Sequence, residues 1–288
     1  MKIICFDIGG TKILKAVVEI SGGKFKFLEM EEEKNPKRED KIKEILFSYS
    51  QMACKIFKTK KIAISTANVV DPMKKTIGEG ILCFGVGTFS WKFLEKGGFS
   101  VRAENDGRCF SLGEYYFGQG RSEQSVLTLT LGTGIGGGFI IKGENYRGVH
   151  SSALEVGRSK VYFEKNWRQW EWIAAGRGIE KFYAISSGKK ISTKEVFEKA
   201  KKGERAAKKV LAQAEDVLGV GISNLLNILD PEILIFGGSI AKQKKFMERA
   251  IGIARKNIFN KKANYKFAIS SLGNKANLLG IWRISNQF

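Results

Sequence analysis

The most constraining feature of the sequence is a short apolar run that ends in two glycines, Ile3 to Lys12, with the letters I-I-C-F-D-I-G-G-T-K. An apolar run bounded by glycines predicts a buried strand. Gly9 and Gly10 have no Cβ, so the backbone can turn sharply and direct N–H groups at an anion, while Thr11 and Lys12 add a hydroxyl and a cation. The stretch therefore predicts a phosphate-binding turn, and an ordinary β-hairpin is the alternative.

Asp7 stands at the end of this predicted strand. Mg²⁺ takes oxygen ligands, keeps several of its waters and is commonly held by one or two carboxylates together with phosphate oxygens. We therefore expect Asp7 to bind a nucleotide-bound Mg²⁺ through water.

A second glycine cluster, Val126 to Ile141, repeats this design with the letters V-L-T-L-T-L-G-T-G-I-G-G-G-F-I-I. Two strand-turn-strand units with glycine and threonine at the turn favour a nucleotide held between two lobes. The cluster lacks the G-x-x-x-x-G-K-[ST] pattern of a P-loop, and an apolar strand follows its glycines where a Rossmann fingerprint has a helix. Both of those folds are therefore set aside.

The motifs of the chain, taken in order, resemble those of the ROK family of sugar kinases and repressors, within the actin-like ATPase superfamily. The matching segments are Asp7–Lys12, Glu104–Asp106, Leu131–Phe139, Gly148, Glu155–Arg158, Asp230–Glu232 and Gly237–Ser239. The resemblance implies an α/β protein with the two-lobed actin-like ATPase (ribonuclease H-like) fold and a cleft between the lobes. It places a small N-terminal lobe at residues 1–108, with a C-terminal helix at 275–288 packing back on it, and a large lobe at 109–274.

Hydrophobic spacing predicts the principal elements. Apolar residues recur at helical intervals in Glu39–Phe57, and a strand is predicted at Lys61–Thr66. Further helices are predicted at Ile173–Phe182 and Glu204–Leu229.

The resemblance also implies which residues bind the nucleotide. Gly132, Thr133 and Gly134 would hold phosphates together with the first glycine turn, and the backbone of Gly237 and Gly238 would approach adenosine. ATP and Mg²⁺ are therefore the expected cofactors.

Asp106 is the candidate catalytic base. A kinase that acts on an alcohol needs a carboxylate to accept the hydroxyl proton during phosphoryl transfer. From position alone, an aspartate between a strand and a helix is expected to be an N-cap; the resemblance reverses this preference and favours the base. Asn105 beside it would bind a sugar hydroxyl, because an amide both donates and accepts hydrogen bonds.

Further sugar-binding residues follow from the resemblance. Glu155 and Glu171 align with two glutamates that contact sugar hydroxyls, and paired carboxylates accept bonds from adjacent hydroxyls; surface charges are the alternative. Asn68 lies near the position of a sugar-contacting loop in the family. The glycine-proline pair expected there is replaced by the segment Ser65 to Asn68. Arg158 stands where the family has histidine, and arginine only donates hydrogen bonds. Leu154 stands where glycine is usual.

The sequence departs from the family at its zinc loop. Most members carry a cysteine-rich loop whose three thiols and a histidine bind structural zinc, but Val161 to Trp172 contains no cysteine. We therefore expect no zinc site, with the aromatic residues of this stretch packing in place of the metal. A sugar-stacking platform is the alternative. The four cysteines of the chain, Cys5, Cys54, Cys83 and Cys109, form no C-x-x-C pair and are predicted to be reduced core residues.

Composition bounds the remaining possibilities. The formal net charge is +20, but the lysines are interspersed with acidic residues, so we expect a solvated surface and no specific nucleic acid. No apolar run reaches the roughly 20 residues that span a membrane, and no leader precedes the first strand, so no membrane association and a cytoplasmic location are expected. The family resemblance suggests a homodimer.

The expected function is an ATP-dependent sugar kinase that phosphorylates a hexose hydroxyl and resembles glucokinase. One alternative is an N-acylhexosamine kinase that acts on N-acetylglucosamine or N-acetylmannosamine, which Arg158 favours. The other is a non-catalytic sugar-binding regulator. The repressors of the family carry a helix-turn-helix domain before the first glycine turn, where this sequence has none, and Asp7 and Asp106 are intact, so the kinase is preferred.

Overall fold

The computed structural model describes residues 1–71, 74–78 and 88–285. The chain divides into two compact units. Unit 1 comprises Met1–Ser122, Glu144–Ala153 and Leu272–Phe288, and unit 2 comprises Glu123–Gly143 and Leu154–Ser271. Each unit has its own buried apolar core.

Unit 1 is built on a five-stranded sheet with strand order β3-β2-β1-β4-β8. Its strands are β1 (Lys2–Ile8), β2 (Lys12–Ser21), β3 (Lys24–Lys34), β4 (Lys61–Thr66) and β8 (Ser100–Asn105). The strands β1, β4 and β8 are parallel, and their register aligns Asp7 with Ser65 and Ser65 with Glu104. Because parallel strands end at the same sheet edge, the segments after β1, β4 and β8 meet there.

The other elements of unit 1 surround this sheet. They are α1 (Glu39–Phe57), β5 (Val70–Asp71), β6 (Thr76–Ile77), β7 (Phe89–Ser90), α2 (Lys92–Lys96), α3 (Asp106–Phe117), β11 (Glu144–Asn145) and α10 (Lys275–Ser285). The predicted bounds of α1 and β4 are confirmed.

The C-terminal helix α10 packs against α3 in unit 1 at two glycines. A Cβ at Gly113 would collide with the backbone of Ala276, and one at Gly280 with the carbonyl of Cys109. Since this packing holds α3 in unit 1, the first compact unit continues to Ser122, beyond the expected limit at residue 108.

Unit 2 repeats the design of unit 1. Within it the strands lie in the order β10-β9-β14-β15. They are β9 (Ser125–Leu131), β10 (Ile135–Ile141), β14 (Ile233–Gly237) and β15 (Lys266–Ile269). As with β1 and β2, β9 and β10 form an antiparallel hairpin across a glycine turn, and β14 runs parallel to β9.

The remaining elements of unit 2 are a small hairpin and six helices among the described residues. They are β12 (Lys160–Phe163), β13 (Asn166–Gln169), α4 (Glu171–Ala174), α5 (Gly176–Ser187), α6 (Thr193–Lys201), α7 (Arg205–Leu229), α8 (Gly238–Ala241) and α9 (Lys244–Asn257). The predicted continuous helix Ile173–Phe182 is wrong at Ala175, whose backbone is extended. The break occurs because the N–H groups of Gly176 and Arg177 donate to the carbonyls of Gly132 and Thr133.

Two further expectations concern membrane-spanning segments and the state of the cysteines. In the part of the chain that the structure describes, no helix is both long enough and apolar enough to span a membrane. Cys5 and Cys109 are buried, Cys54 is half-buried, and all three are free thiols. Burial raises the pKa of both buried thiols well above the ordinary value. Cys83 lies outside the described residues.

Candidate active site

The first glycine turn joins β1 to β2, and one buried residue, Asn35, holds it through both its side chain and its backbone. Gly9 N–H donates to the Lys12 carbonyl at 3.0 Å. Asn35 Nδ2 donates to the Gly9 carbonyl at 2.7 Å, and Asn35 N–H donates to the Thr11 carbonyl at 3.0 Å. The carbonyls of Gly9 and Thr11, which would repel a phosphate, are therefore occupied within the fold.

The charged member of this turn, Lys12, lies at the surface. Its Nζ is 2.8 Å from Glu32 Oε2, and both side chains are partly exposed. An exposed ion pair contributes little to stability, so the Lys12 ammonium can exchange this partner for an anionic ligand at small cost.

Asp7 lies at the carboxyl end of β1 and is held by two side chains. The Ser65 hydroxyl donates to Asp7 Oδ1 at 2.7 Å, and Asn277 Nδ2 lies 3.1 and 3.2 Å from the two carboxylate oxygens. Burial raises the pKa of the Asp7 carboxyl, and these hydrogen bonds oppose that increase. A carboxylate has about four acceptor positions, so Asp7 keeps capacity for a metal-bound water. This donor set fits Mg²⁺, which retains most of its waters.

Asp106 is the first residue of α3, and the N-cap of this helix is Asn105. The Asn105 side chain accepts a hydrogen bond from Arg108 N–H at 3.3 Å. Asp106 Oδ1 accepts from Gly107 N–H at 2.8 Å. The alternative interpretation of Asp106 as the N-cap is therefore wrong, because its neighbour has that role.

Asn68 and Asn105 are joined at this sheet edge. Asn105 Nδ2 donates to the Asn68 carbonyl at 3.3 Å. Asn68 has a φ of +130°, outside the region that non-glycine residues normally adopt. Its own Nδ2 is buried without a hydrogen-bond partner among the described residues. A strained backbone and an unpaired amide together indicate a site that a ligand acceptor would complete.

The second glycine turn, between β9 and β10, is fastened by a helix terminus. Gly132 N–H donates to the Gly134 carbonyl at 3.1 Å. Gly176 and Arg177, at the start of α5, donate to the carbonyls of Gly132 and Thr133 at 2.9 and 3.2 Å. As in the first turn, the carbonyls are bound within the fold.

Glu171 lies directly beside this second turn. Its Oε2 accepts from Ile135 N–H at 3.3 Å. A Cβ at Gly134 would come within 2.5 Å of the same oxygen, and one at Gly157 within 3.0 Å. Glu171 therefore contacts both the second glycine turn and the segment that begins at Glu155.

Glu155 and Arg158 are separated by one 3-10 turn, Val156–Arg158, and both are exposed. Arg158 Nε lies 3.6 Å from Glu155 Oε2, and the Arg158 side chain is 66% exposed. This weak pair leaves most of the five guanidinium donors available to a ligand. Leu154 adopts the left-handed region with φ +66°, a backbone conformation that glycine favours.

Gly237 and Gly238 lie where β14 ends and α8 begins. Gly238 has a φ of +86°, and a Cβ there would collide with the backbone of Leu131. Only glycine fits this position without strain. The close approach holds the end of β14 against the residue that precedes the second glycine turn.

The cysteine-free stretch Val161 to Trp172 contains the hairpin β12–β13. Trp170 is buried, and its indole N–H donates to the Val217 carbonyl at 3.0 Å. Tyr162 and Trp167 pack edge to face but are each more than 60% exposed, and Trp172 is 50% exposed. Packing in place of a metal therefore holds for Trp170 and for Phe163, which packs against the core of unit 2 and against Phe182. It does not hold for Tyr162, Trp167 and Trp172. Within residues 1–71, 74–78 and 88–285, no cluster of three or more His, Cys, Asp or Glu could hold a metal ion.

The structure places the predicted residues on separate units. Unit 1 contains the first glycine turn, Asp7, Asn68, Asn105 and Asp106, and unit 2 contains the second glycine turn, Glu155, Arg158, Glu171, Gly237 and Gly238. Sequence reasoning did not identify Asn35, Ser65 and Asn277. Ser65 was detectable in principle, because the parallel register of β1 and β4 sets it beside Asp7. The other two contacts have no local sequence signal.

The two repeated β-sheets, each with a glycine turn at its first hairpin, define an α/β protein with the actin-like ATPase fold. The sequence profile of the ROK family matches residues 3–287. The chain therefore belongs to the ROK family.

Two curated relatives and one solved structure illustrate this membership. The chain is 30% identical over 161 residues to an N-acetyl-D-glucosamine kinase of Pasteurella multocida, covering 50% of this chain and 53% of the relative. It is 31% identical over 173 residues to a glucokinase of Thermotoga maritima, covering 52% and 54%. The chain thus spans about half the length of each of these relatives. The crystal structure of a ROK family glucokinase from Streptomyces griseus in complex with glucose and AMPPNP is 25% identical to this chain, with a TM-score of 0.83, and the match covers 100% of both chains.

Proposed function

We propose that the protein is an ATP-dependent kinase that transfers the γ-phosphate to a hydroxyl of a hexose, as a glucokinase does. The observation that carries the proposal is the arrangement at the start of α3. Asn105 caps the helix, so the Asp106 carboxylate is not needed as the cap. It stands at the sheet edge where Asp7 also lies. A kinase needs these two carboxylates, one as base and one for the metal.

Asp106 would accept the proton of the attacking hydroxyl as the phosphoryl group is transferred. Asn68 and Asn105 would bind sugar hydroxyls in unit 1, because the Asn68 amide lacks an acceptor and the Asn105 amide keeps one N–H and one lone pair. Glu155, Glu171 and Arg158 would bind sugar oxygens from unit 2. These residues orient the hydroxyl, and orientation supplies a large part of the rate in phosphoryl transfer.

The glycine turns would bind the phosphates of ATP. Gly9, Gly10, Thr11 and Lys12 offer a hydroxyl and an ammonium, and the turn from Gly132 to Gly134 offers the Thr133 hydroxyl and the N–H groups of Thr133 and Gly134. In both turns carbonyls that would repel an anion are bound within the fold, which supports this role. Gly237 and Gly238 would contact adenosine through their backbone.

Asp7 would hold Mg²⁺ through a bound water. The ion supplies charge neutralisation of the phosphate oxygens when it is bound. Ser65 and Asn277 fix the carboxylate in one orientation for this purpose.

Arg158 favours a second candidate substrate class, the N-acylhexosamines. Its exposed guanidinium donates only, so it suits a carbonyl oxygen as well as a hydroxyl. The curated relatives include both an N-acetylglucosamine kinase and a glucokinase at nearly equal identity.

The test is an ADP-release assay with ATP and Mg²⁺ against glucose, fructose, mannose, N-acetylglucosamine, N-acetylmannosamine and a uronic acid. We expect turnover with glucose or mannose. Turnover confined to an N-acyl sugar would establish the second class, and Arg158→His should then move the preference towards glucose. Sugar binding without ADP release from any of these substrates would contradict the kinase and favour a non-catalytic regulator.

A further inference from the structure

A cluster of three charged residues, Glu104, Arg108 and Arg147, lies at the start of α3, and two of the three are buried. Glu104 is only 3% exposed. Its Oε1 lies 2.8 Å from Arg108 Nη1 and its Oε2 2.7 Å from Arg147 Nη2. The same Oε1 accepts a hydrogen bond from Asn105 N–H at 2.8 Å. One carboxylate thus binds two guanidinium groups and the backbone of the helix cap.

The cluster also binds a segment that is distant in sequence. Arg108 Nη2 donates to the Ser151 carbonyl at 2.6 Å, and Asn145 Nδ2 donates to the Arg108 carbonyl at 3.4 Å. With Arg147 these contacts fasten Glu144–Ala153 to the start of α3. That segment belongs to unit 1, although the residues before and after it belong to unit 2.

The position of this segment in the chain suggests what the fastening does. Ala153 is followed by Leu154, in the left-handed region, and then by Glu155. The bond between Arg147 and Glu104 therefore restrains the chain eight residues before Glu155, a candidate sugar-binding residue. Glu104 itself directly precedes Asn105 and Asp106 in the sequence.

Buried charges of this kind are costly unless every one is paired. Glu104 is paired twice, and Arg108 forms its bonds while itself buried to 3% exposure. A less costly apolar contact would hold two segments together with lower directional precision. Bonds between a carboxylate and guanidinium groups fix both distance and angle, which is what a positioned base requires.

We propose that Glu104, Arg108 and Arg147 are positioning residues that fasten Glu144–Ala153 to the helix start and so set the orientation of Asn105 and Asp106. The inference rests on the proposed function, because it takes Asp106 as the base. Arg147 is the residue to change, since its side chain is 42% exposed and its removal leaves Glu104 still paired with Arg108.

The experiment compares Arg147→Met with Arg249→Met in the full-length chain. Arg249 is a matched control, because it is an exposed arginine whose Nε lies 3.1 Å from a buried glutamate, Glu215, in unit 2. For each variant we would measure hydrogen exchange of the peptide covering residues 144–153, and kcat and KM for sugar and for ATP.

We expect Arg147→Met to accelerate exchange in that peptide at least tenfold and to lower kcat at least tenfold, with the KM for ATP unchanged within twofold. Arg147→Lys should show a smaller increase in exchange and a smaller loss of kcat than Arg147→Met, because an ammonium keeps the charge but lacks the planar geometry. Arg249→Met should change neither the exchange of this peptide nor kcat.

The two readouts separate the possible failures. Unchanged exchange in Arg147→Met would overturn the fastening. Faster exchange with wild-type kcat would overturn the positioning role. A third outcome concerns a protein that phosphorylates no sugar. Faster exchange in Arg147→Met, with unchanged exchange in Arg249→Met, would then support the fastening. The absence of kinase activity would overturn both the positioning role and the proposed function.

Discussion

The two glycine turns share one sequence design but are fastened in different ways. In unit 1 one buried residue, Asn35, binds two carbonyls: its side-chain Nδ2 donates to Gly9 and its backbone N–H donates to Thr11. In unit 2 the corresponding carbonyls are bound by backbone N–H groups at the start of α5, and Glu171 accepts the N–H of Ile135. The first turn also carries a lysine, whereas the second has no charged residue.

In both turns the protein binds backbone carbonyls that would otherwise repel an anion. The first turn depends in part on a side chain, the Asn35 amide at the Gly9 carbonyl, whereas the second depends on backbone N–H groups. Substitutions should therefore affect the two turns to different extents.

The largest effect on stability is expected for Gly238→Ala, at the residue that packs against Leu131 just before the second turn. The substitution places a Cβ at a φ of +86° against the backbone of Leu131. We expect the free energy of unfolding to fall by about 2–4 kcal/mol, from strain and overpacking together. Denaturant unfolding measures it. The control is Gly252→Ala, where no atom lies near the added methyl and φ is not positive; it should be neutral or stabilising by up to about 1 kcal/mol. Equal stability of the two variants would contradict the close approach.

A smaller loss is expected for Asn35→Ala in the first turn. Asn35 is 3% exposed, and its removal leaves the Gly9 carbonyl without this donor. We expect destabilisation by about 1–3 kcal/mol and weaker binding of ATP, because the turn loses the side-chain bond at Gly9 and keeps only the backbone bond at Thr11. Unfolding experiments and ATP titration calorimetry check both. Asn166→Ala, which removes one bond in an exposed hairpin turn, is the control and should leave both values nearly unchanged. Full ATP affinity in Asn35→Ala would show that the first turn keeps its shape without this side chain.

Gly9→Ala and Gly132→Ala should not lower stability. A Cβ at Gly9 lies 3.4 Å from the Lys12 carbonyl, an ordinary contact, and no atom lies within 4 Å of one at Gly132. If a phosphate approaches these turns closely, the methyl group should instead raise the KM for ATP, by roughly tenfold for about 1.4 kcal/mol of lost binding. Unchanged KM in both variants would remove the close approach from the account.

Only a small effect on stability is expected for Lys12→Met, which removes the charge that only the first turn carries. Its ion pair with Glu32 is exposed, so unfolding should change by less than about 1 kcal/mol. The KM for ATP should rise, and should respond less to added salt than in the wild type, because the screened charge is gone. A large loss of stability would show that Lys12 is a structural residue.

The sequence predicted local features well and distant contacts poorly. The bounds of α1 and β4 follow from hydrophobic periodicity, a property of each segment alone. The break at Ala175 does not, because it is caused by carbonyls about 40 residues earlier in the chain. Periodicity marks which face of a helix is buried and carries no information on the partner of its first N–H groups.

The same limit applies to the candidate site. Glycines and aspartates in short motifs were recognisable because their chemistry depends on adjacent residues. Asn277, on the C-terminal helix, binds Asp7 only because the chain returns to unit 1 at Leu272. The N-cap was assigned to Asp106 as an alternative because both Asn and Asp favour that position, and only the φ, ψ angles and the hydrogen bond to Arg108 assign it to Asn105.

The most direct test of the kinase mechanism is Asp106→Asn, with turnover and sugar affinity measured on the same preparation. The amide keeps an oxygen that can accept the hydrogen bond from Gly107 N–H, so the helix start should be preserved. We expect sugar affinity close to that of the wild type and kcat lower by about 10²–10⁴, the usual contribution of a general base. Turnover near the wild-type rate with sugar still bound would contradict the assignment of Asp106 as the base.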